Sequence, residues 1–474
     1  LTTIRKIAKN TGVLFAGQIL SYVLGFIYVI YVARYLGAES FGILTLALAF
    51  TGIFGILADL GLSRLIVRDV SRDKSLTGKY LGNSLSMKLI LALFMLLVTI
   101  LVLNLFNYPE EIINVVYILT ISVIFTSFSQ LFYSIYQIFQ KMEYQAIGLI
   151  LNGILILGSA FLGMLFRLDV TGFAILYLIA TIFVLLYNII VCSYKFMIPG
   201  IKFNFSFWKM IISNSIFFGL ADVFIVIYFN IDSVMLSLIV GEAVVGWYNA
   251  AYRLIFVLMF IPTVLVVTLF PLMSKQFEYA KEILKMEYEK SFKYLFVISI
   301  ILLVYGLLFA DKIILMIYGN DYFPAIGALQ VLIFVIPIIF LTNLFGNLMA
   351  AINMQRVVTL VAGANAFLNI VLNLILIPKY SFIGAGIATV LTEGLGFVLM
   401  YYYISKYFSR ISVIENILKP VFCGLIIAII IYFFKSEINW ILAGVIGLST
   451  YVLLLYALKI INNEDFKLFK QVFK

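Results

Sequence analysis

The sequence predicts an all-α integral membrane protein of about fourteen transmembrane helices, built as two parallel six-helix repeats around a central cleft plus a C-terminal helix pair. Three observations lead there. Of the 474 residues, 64% are hydrophobic and only 11% charged, which lies far from the usual composition of a soluble domain. The apolar residues form long continuous runs of Ile, Leu, Val and Phe rather than ten-residue alternating stretches, so helices are favoured over a barrel. Finally, the island "YLGAESFGIL" (35–44) finds a partner 204 residues later in "IVGEAVVGWY" (239–248), with Gly37 on Gly241 and Gly42 on Gly246.

A hydrocarbon core of about 30 Å needs roughly 20 apolar residues per crossing. Applied along the chain, this rule marks fourteen segments at 13–33, 41–61, 83–106, 112–138, 146–166, 170–194, 211–238, 244–272, 292–318, 325–351, 357–377, 381–404, 415–434 and 438–461. The connections are too short for a further domain, so the chemistry must sit among the helices. Arg5, Lys6 and Lys9 precede the first apolar run. That run is long and lacks a small-residue cleavage site, which reads as a retained first helix rather than a signal peptide.

The net charge of +10 follows topology, not nucleic acid. With the N-terminus placed in the cytoplasm, 26 of the 32 Lys and Arg fall on the cytoplasmic side, and five on the outer side: Arg34, Arg167, Lys312, Lys379 and Lys435. Arg253 lies within a span. This positive-inside bias places the chain in the cytoplasmic membrane with both termini cytoplasmic. There is no histidine, and the two cysteines, Cys192 and Cys423, show no metal-like spacing, so His-based catalysis and zinc chemistry are excluded. No GxxxxGKS-type loop supports ATP hydrolysis. The cysteines read as packing residues.

The repeat continues beyond its first island. Shifted by 212 or 213, "QKMEYQAIGLILNGILI" (140–156) meets "NMQRVVTLVAGANAFLN" (353–369), with Asn152 on Asn365, and "RLDVTG" (167–172) meets "KYSFIG" (379–384). Six helices per half is an even number, so both halves enter from the same side, and the substrate path is expected in the cleft between them. The expected divisions are 1–200, 201–406 and an added pair with a tail at 407–474. Each glycine island is then the outer turn between the first two helices of a half. Arg34 at that edge reads either as snorkelling to headgroups or as facing the cleft.

Ionisable residues inside a membrane are costly and tend to mark pathways. At 1.5 Å per residue, Asp222 lies roughly 16 Å into the seventh segment, Arg253 about 13 Å into the eighth and Glu393 about 18 Å into the twelfth. Their first-half counterparts, Gln18, Ala49 and Thr181, are uncharged. On one reading Arg253 and Asp222 simply neutralise each other. On the other, Arg253 with Asn249 one turn earlier binds a pyrophosphate or sugar, for which a guanidinium is suited. The hypothesis for the excess acid is that Asp222 or Glu393 takes up a proton or Na⁺ during transport; ion-dependent transport surviving neutralisation of both would refute it.

A basic cluster, Asp59, Arg64, Arg68, Arg72, Lys79 and Lys88, marks the cytoplasmic mouth of the first half. It reads as topology-setting charge beside anionic lipid, or as electrostatic capture of an anionic headgroup, with Lys88 the best candidate because it falls inside a span. Asn365, Asn369 and Asn373, each four apart, share one helix face. That stripe suits interhelical hydrogen bonds and equally sugar hydroxyls. The stretch "SKQFEYAKEILKMEYEKSFKYL" (274–295) reads as an amphipathic helix along the interface.

The residues "ARYLGAESFGILTLALAF" (33–50), "ADLGLSRLIVRDVSRDKS" (58–75) and "GEAVVGWYNAAYRL" (241–254) resemble the Wzx-type polysaccharide flippases of the multidrug/oligosaccharidyl-lipid/polysaccharide transporter superfamily. The resemblance extends over most of the chain. It implies a non-enzymatic, alternating-access transporter that moves a polyprenyl-pyrophosphate-linked sugar to the outer leaflet, with membrane lipids and glycan-assembly enzymes as neighbours. No cofactor is implied beyond a coupling ion. Two other functions remain open at this point. A multidrug exporter of the same superfamily is disfavoured by Gln18 where such exporters often carry an acid. A membrane glycosyltransferase or polymerase would be expected to have a larger outer loop.

Overall fold

The computed structural model describes residues 2–434 and 439–461, and within them the chain is helical with no strand. Lys435 and the basic stretch after residue 461, both used above in assigning topology, lie outside the described residues. Among the described residues, eleven helices are long and apolar enough to cross a membrane, or twelve if a pair bent by 45° at 325–332 and 335–351 counts as one span. Two of the eleven, 47 and 53 residues long, each cover two of the segments expected from the sequence. α1 (Thr2–Gly55) breaks at Gly37, whose φ of 73° and ψ of 176° leave the helical region. α14 (Gln355–Tyr407) contains Pro378, which has no N–H to donate, and breaks at Ser381.

The remaining helices of the first half are short α2 (Leu62–Val70), then α3 (Thr77–Leu105), α4 (Glu110–Ile138), α5 (Met142–Leu165) and α6 (Val170–Lys195). The second half supplies α7 (Phe205–Ile239), α8 (Glu242–Leu258), α9 (Phe260–Tyr279), α10 (Lys281–Leu308), α11 (Ala310–Ile317), α12 (Ala325–Leu332) and α13 (Val335–Ala351), and the chain continues as α15 (Val413–Phe434) and α16 (Trp440–Ala457). A few helix starts carry side-chain caps. Asp169 accepts from the Gly172 amide at 2.8 Å and Asn204 from the Phe207 amide at 3.0 Å, each satisfying an N–H that the first turn leaves open. Glu110 and Glu111 open α4, where negative charge suits the helix dipole.

By compactness the chain falls into two units, Leu1–Asn249 with Asn373–Phe382, and Ala250–Leu372 with Ile383–Lys474. The first unit thus runs past the repeat junction at 200, because α7 packs on α1 and α2. Within it α1 also packs on α4 and α5, and α4 on α6. In the second unit α10 is central, in contact with α9, α13 and α15. The Tyr451 hydroxyl donates to the Val297 carbonyl at 2.9 Å, tying α16 to α10. One expectation is corrected here. Residues 274–295 are not one interfacial helix: they end α9 at Tyr279 and begin α10 at Lys281, and Leu284, Tyr288 and Phe292 are fully buried.

Candidate functional site, a polar cavity around Arg64 and Asp222

The break after α1 builds the site. Leu60 and Gly61 take positive φ values of 46° and 78°, turning the chain so that α2 starts beside Asp59. Asp59 holds that start: its Oδ2 accepts from the Ser63 amide at 3.3 Å and its Oδ1 from the Ser63 hydroxyl at 2.7 Å. Lys88 of α3 reaches the same carboxylate at 2.5 Å and also donates to the carbonyls of Ser127, at 2.9 Å, and Ala58, at 3.3 Å. All three protons of the ammonium are therefore engaged, and the side chain is fully buried. The sequence reading of Lys88 as a headgroup-capturing cation is corrected by this geometry. It clamps α3, the end of α1 and α4 together, because a charge in that position must be paired and hydrogen-bonded to be retained.

One turn into α2, Arg64 forms an ion pair with Asp222 of α7, Nη2 to Oδ1 at 2.7 Å. The Arg64 side chain is 59% exposed and that of Asp222 30%. The structure gives Asp222 a different partner from the Arg253 that one of the two readings offered: its carboxylate is paired with Arg64, whose helix packs on α7. The pair lines a cavity of about 550 Å³ in which Ser63, Thr126, Ser127, Gln130, Ser134 and Gln137 stand beside Asp59, Arg64 and Asp222, with Gly55, Val67 and Val123 completing the wall. Most of these polar side chains come from one face of α4. Residues 123, 126, 127, 130, 134 and 137 follow helical spacing, while Phe125, Phe128 and Phe132 on another face line an apolar groove with α3 and α6.

The cavity offers a guanidinium, two carboxylates and a set of hydroxyl and amide groups. This chemistry suits an anionic group attached to a polyhydroxy body, through charge-assisted and neutral hydrogen bonds. Among the described residues no cluster of His, Cys, Asp or Glu is arranged to hold a metal ion.

The other residues singled out from the sequence are distributed more widely. Arg68 is exposed, bonded to Asp69 at 2.8 Å, and that bond raises its already high pKa. Arg34 is exposed and Gln18 half-buried. Asn249 is buried and donates to the Ser233 hydroxyl and the Val245 carbonyl, each at 3.0 Å, so it serves packing within the first unit. Arg253 is half-buried, with its Nε enclosed and no acceptor against it among the described residues. Asn365, Asn369 and Glu393 are buried, and the Asn365 amide packs against Gly396.

A second polar cluster was not anticipated. Asp232, ten residues after Asp222 on α7, is buried, and its carboxylate accepts from the Tyr248 hydroxyl and from the Asn373 amide, both at 2.6 Å. Its acid could have been found as a charge within the seventh segment, but it sits nearer the end of that segment, where a loop charge is the ordinary reading.

Comparison with known proteins gives the family and the fold. The family described as "Polysaccharide biosynthesis protein" matches residues 7–277, and the MatE family matches 218–375. A protein of Haloferax volcanii named "Probable low-salt glycan biosynthesis flippase Agl15" is 23% identical over 91% of this chain and 91% of its own length. Among solved structures, "Lipid II flippase MurJ, inward closed conformation" superimposes with a TM-score of 0.72 at 17% identity, covering 93% of this chain and 97% of its own. An inward-facing multidrug resistance MATE family transporter of the MOP superfamily follows at 0.69 and 16% identity, over 81% and 95%.

Proposed function

The chain belongs to the polysaccharide biosynthesis protein family, a family of membrane transporters of the flippase type, and from that premise we propose that it carries a lipid-linked oligosaccharide from the inner to the outer leaflet by alternating access. The carrier lipid is a polyprenyl pyrophosphate, and the halves 1–200 and 201–406 rock about the substrate while 407–474 adds a helix pair. Both termini face the cytoplasm.

The observation that carries this reading is the Arg64–Asp222 cavity. A pyrophosphate is a bidentate anion matched by guanidinium geometry, and the hydroxyl and amide wall of α4 suits sugar. An exporter of apolar cations would be better served by aromatic walls and an uncompensated acid. In this account Asp222 occupies Arg64 until the headgroup arrives and displaces it. The displaced carboxylate then becomes a site for a proton or Na⁺, which links substrate entry to ion coupling. Among the described residues Glu393 and Asp232 are buried acids and are further candidates for that role.

The test uses purified protein in liposomes with a fluorescent polyprenyl-pyrophosphate oligosaccharide, read by quenching from one side. Arg64→Gln is expected to slow flipping at least tenfold while leaving the protein folded. Equal rates for Arg64→Gln and the natural protein, or transport of a cationic dye in place of the sugar lipid, would overturn the assignment. An unaltered ion dependence in Asp222→Asn combined with Glu393→Gln would remove the coupling role.

A further inference from the structure

The glycines of the repeated island do more than turn the chain. Gly37 and Gly241, repeat mates at a spacing of 204, both have positive φ, 73° and 128°, and make the two reversals. The second glycine of each island, Gly42 or Gly246, lies one turn into the following helix and is buried. A Cβ built on Gly42 would stand 1.8 Å from the carbonyl oxygen of Glu242, and one on Gly246 would stand 2.0 Å from that of Ala38. Ala38 and Glu242 are also repeat mates. The contact is therefore reciprocal: each second glycine receives the carbonyl of the residue that follows the first glycine in the other half.

Such an arrangement has the geometry of a two-fold contact, the same patch meeting itself, here within a single chain. Two backbones approach this closely only where a side chain is missing, as in small-residue helix contacts in membranes, and Cα–H to carbonyl contacts add a modest attraction. The atoms nearest to each built Cβ are all main chain, so at these two points the contact is backbone on backbone and can form and part without withdrawing a side-chain charge from water. Those are the properties of a reversible closure rather than of a permanent core.

We propose that Gly42 and Gly246 form a backbone latch that seals the outer mouth of the transporter, and that the two halves separate at this point when the outward-open state forms. The latch rests on the alternating-access reading and on the N-terminus being cytoplasmic, but not on the identity of the substrate. Any side chain at either glycine prevents closure, because an oxygen at 1.8–2.0 Å must retreat by more than about 1 Å to reach ordinary contact, and the atom in question is backbone.

The experiment uses the full chain in right-side-out cells, with Cys192 and Cys423 replaced by Ala and Thr45→Cys as the only thiol. Thr45 is buried, three residues beyond Gly42 on the same helix face. A membrane-impermeant maleimide is added outside, without substrate. Gly42→Ala and Gly246→Ala are each expected to raise the labelling rate roughly tenfold, the population shift that overpacking of a tight contact carries. Gly158→Ala, where a methyl group meets nothing within 4 Å, is expected to change nothing. Unchanged labelling in both latch variants overturns the proposal. So does loss of folded protein in both while Gly158→Ala folds, since that would make the contact a fixed part of the core. Raised labelling in the latch variants, beside a natural protein that fails to flip the sugar lipid, leaves the latch standing and removes the substrate assignment instead.

Discussion

Replacing Lys88 by Met separates a structural clamp from a substrate-capturing cation. The Lys88 side chain is fully buried and its ammonium holds Asp59 and two main-chain carbonyls. Removing one partner of a buried pair costs about 3–5 kcal/mol, because the remaining charge is left unpaired. Here Asp59 is 29% exposed to the cavity and keeps its bonds from Ser63, so water relieves part of that cost and about 2–3 kcal/mol is expected. Taking away both charges, as Lys88→Met with Asp59→Leu, should recover much of the loss, since an apolar pair of similar volume often stabilises as well as the ions did. The assay is thermal unfolding of detergent-purified protein for the single and double variants, scanned at one rate because membrane proteins commonly unfold irreversibly. A Lys88→Met protein that melts with the natural one yet takes up substrate slowly would refute the clamp and restore the capture reading.

Three further outcomes follow from the same geometry. Arg64→Gln should alter thermal stability by under about 1 kcal/mol, because its pair with Asp222 is largely exposed, while transport falls; a large stability loss would show that the pair is a structural strut. Tyr248→Phe leaves the buried Asp232 carboxylate short of one donor and should destabilise by about 1.5–3 kcal/mol, measured by the same unfolding scan. Arg68→Ala, which breaks an exposed contact with Asp69, should leave both stability and flipping within about 0.5 kcal/mol of the natural protein, and a marked slowing of flipping would instead make Arg68 part of headgroup capture.

Much of the architecture was legible in the linear sequence because the bilayer imposes local rules. Continuous apolar runs mark helices wherever unsatisfied backbone is forbidden. The island repeat was legible for a related reason. Gly37 and Gly241 sit where the chain must take positive φ, and Gly42 and Gly246 where two backbones touch, so each leaves a residue-type signature at a constant spacing. Cys192 and Cys423 were correctly read as packing residues, both being buried and unpaired with each other.

The partners of the charges were not legible. Depth along a span offered Arg253 as one mate for Asp222, and a position inside a span made Lys88 the best candidate for headgroup capture. The structure gives Asp222 to Arg64 and Lys88 to Asp59. Which face a helix turns to its neighbours depends on how it is rotated and packed, and residues 158 positions apart, such as Arg64 and Asp222, meet only once α2 and α7 have docked. Hydrophobic length, charge asymmetry and glycine spacing are properties of single segments, and the sequence by itself determined the all-helical membrane class and the paired glycine islands. Ion pairing, the cavity and the reciprocal glycine contact are properties of pairs of segments, decided only by tertiary packing, because the energy of a contact falls off over a few ångströms and is set by positions that no single segment encodes.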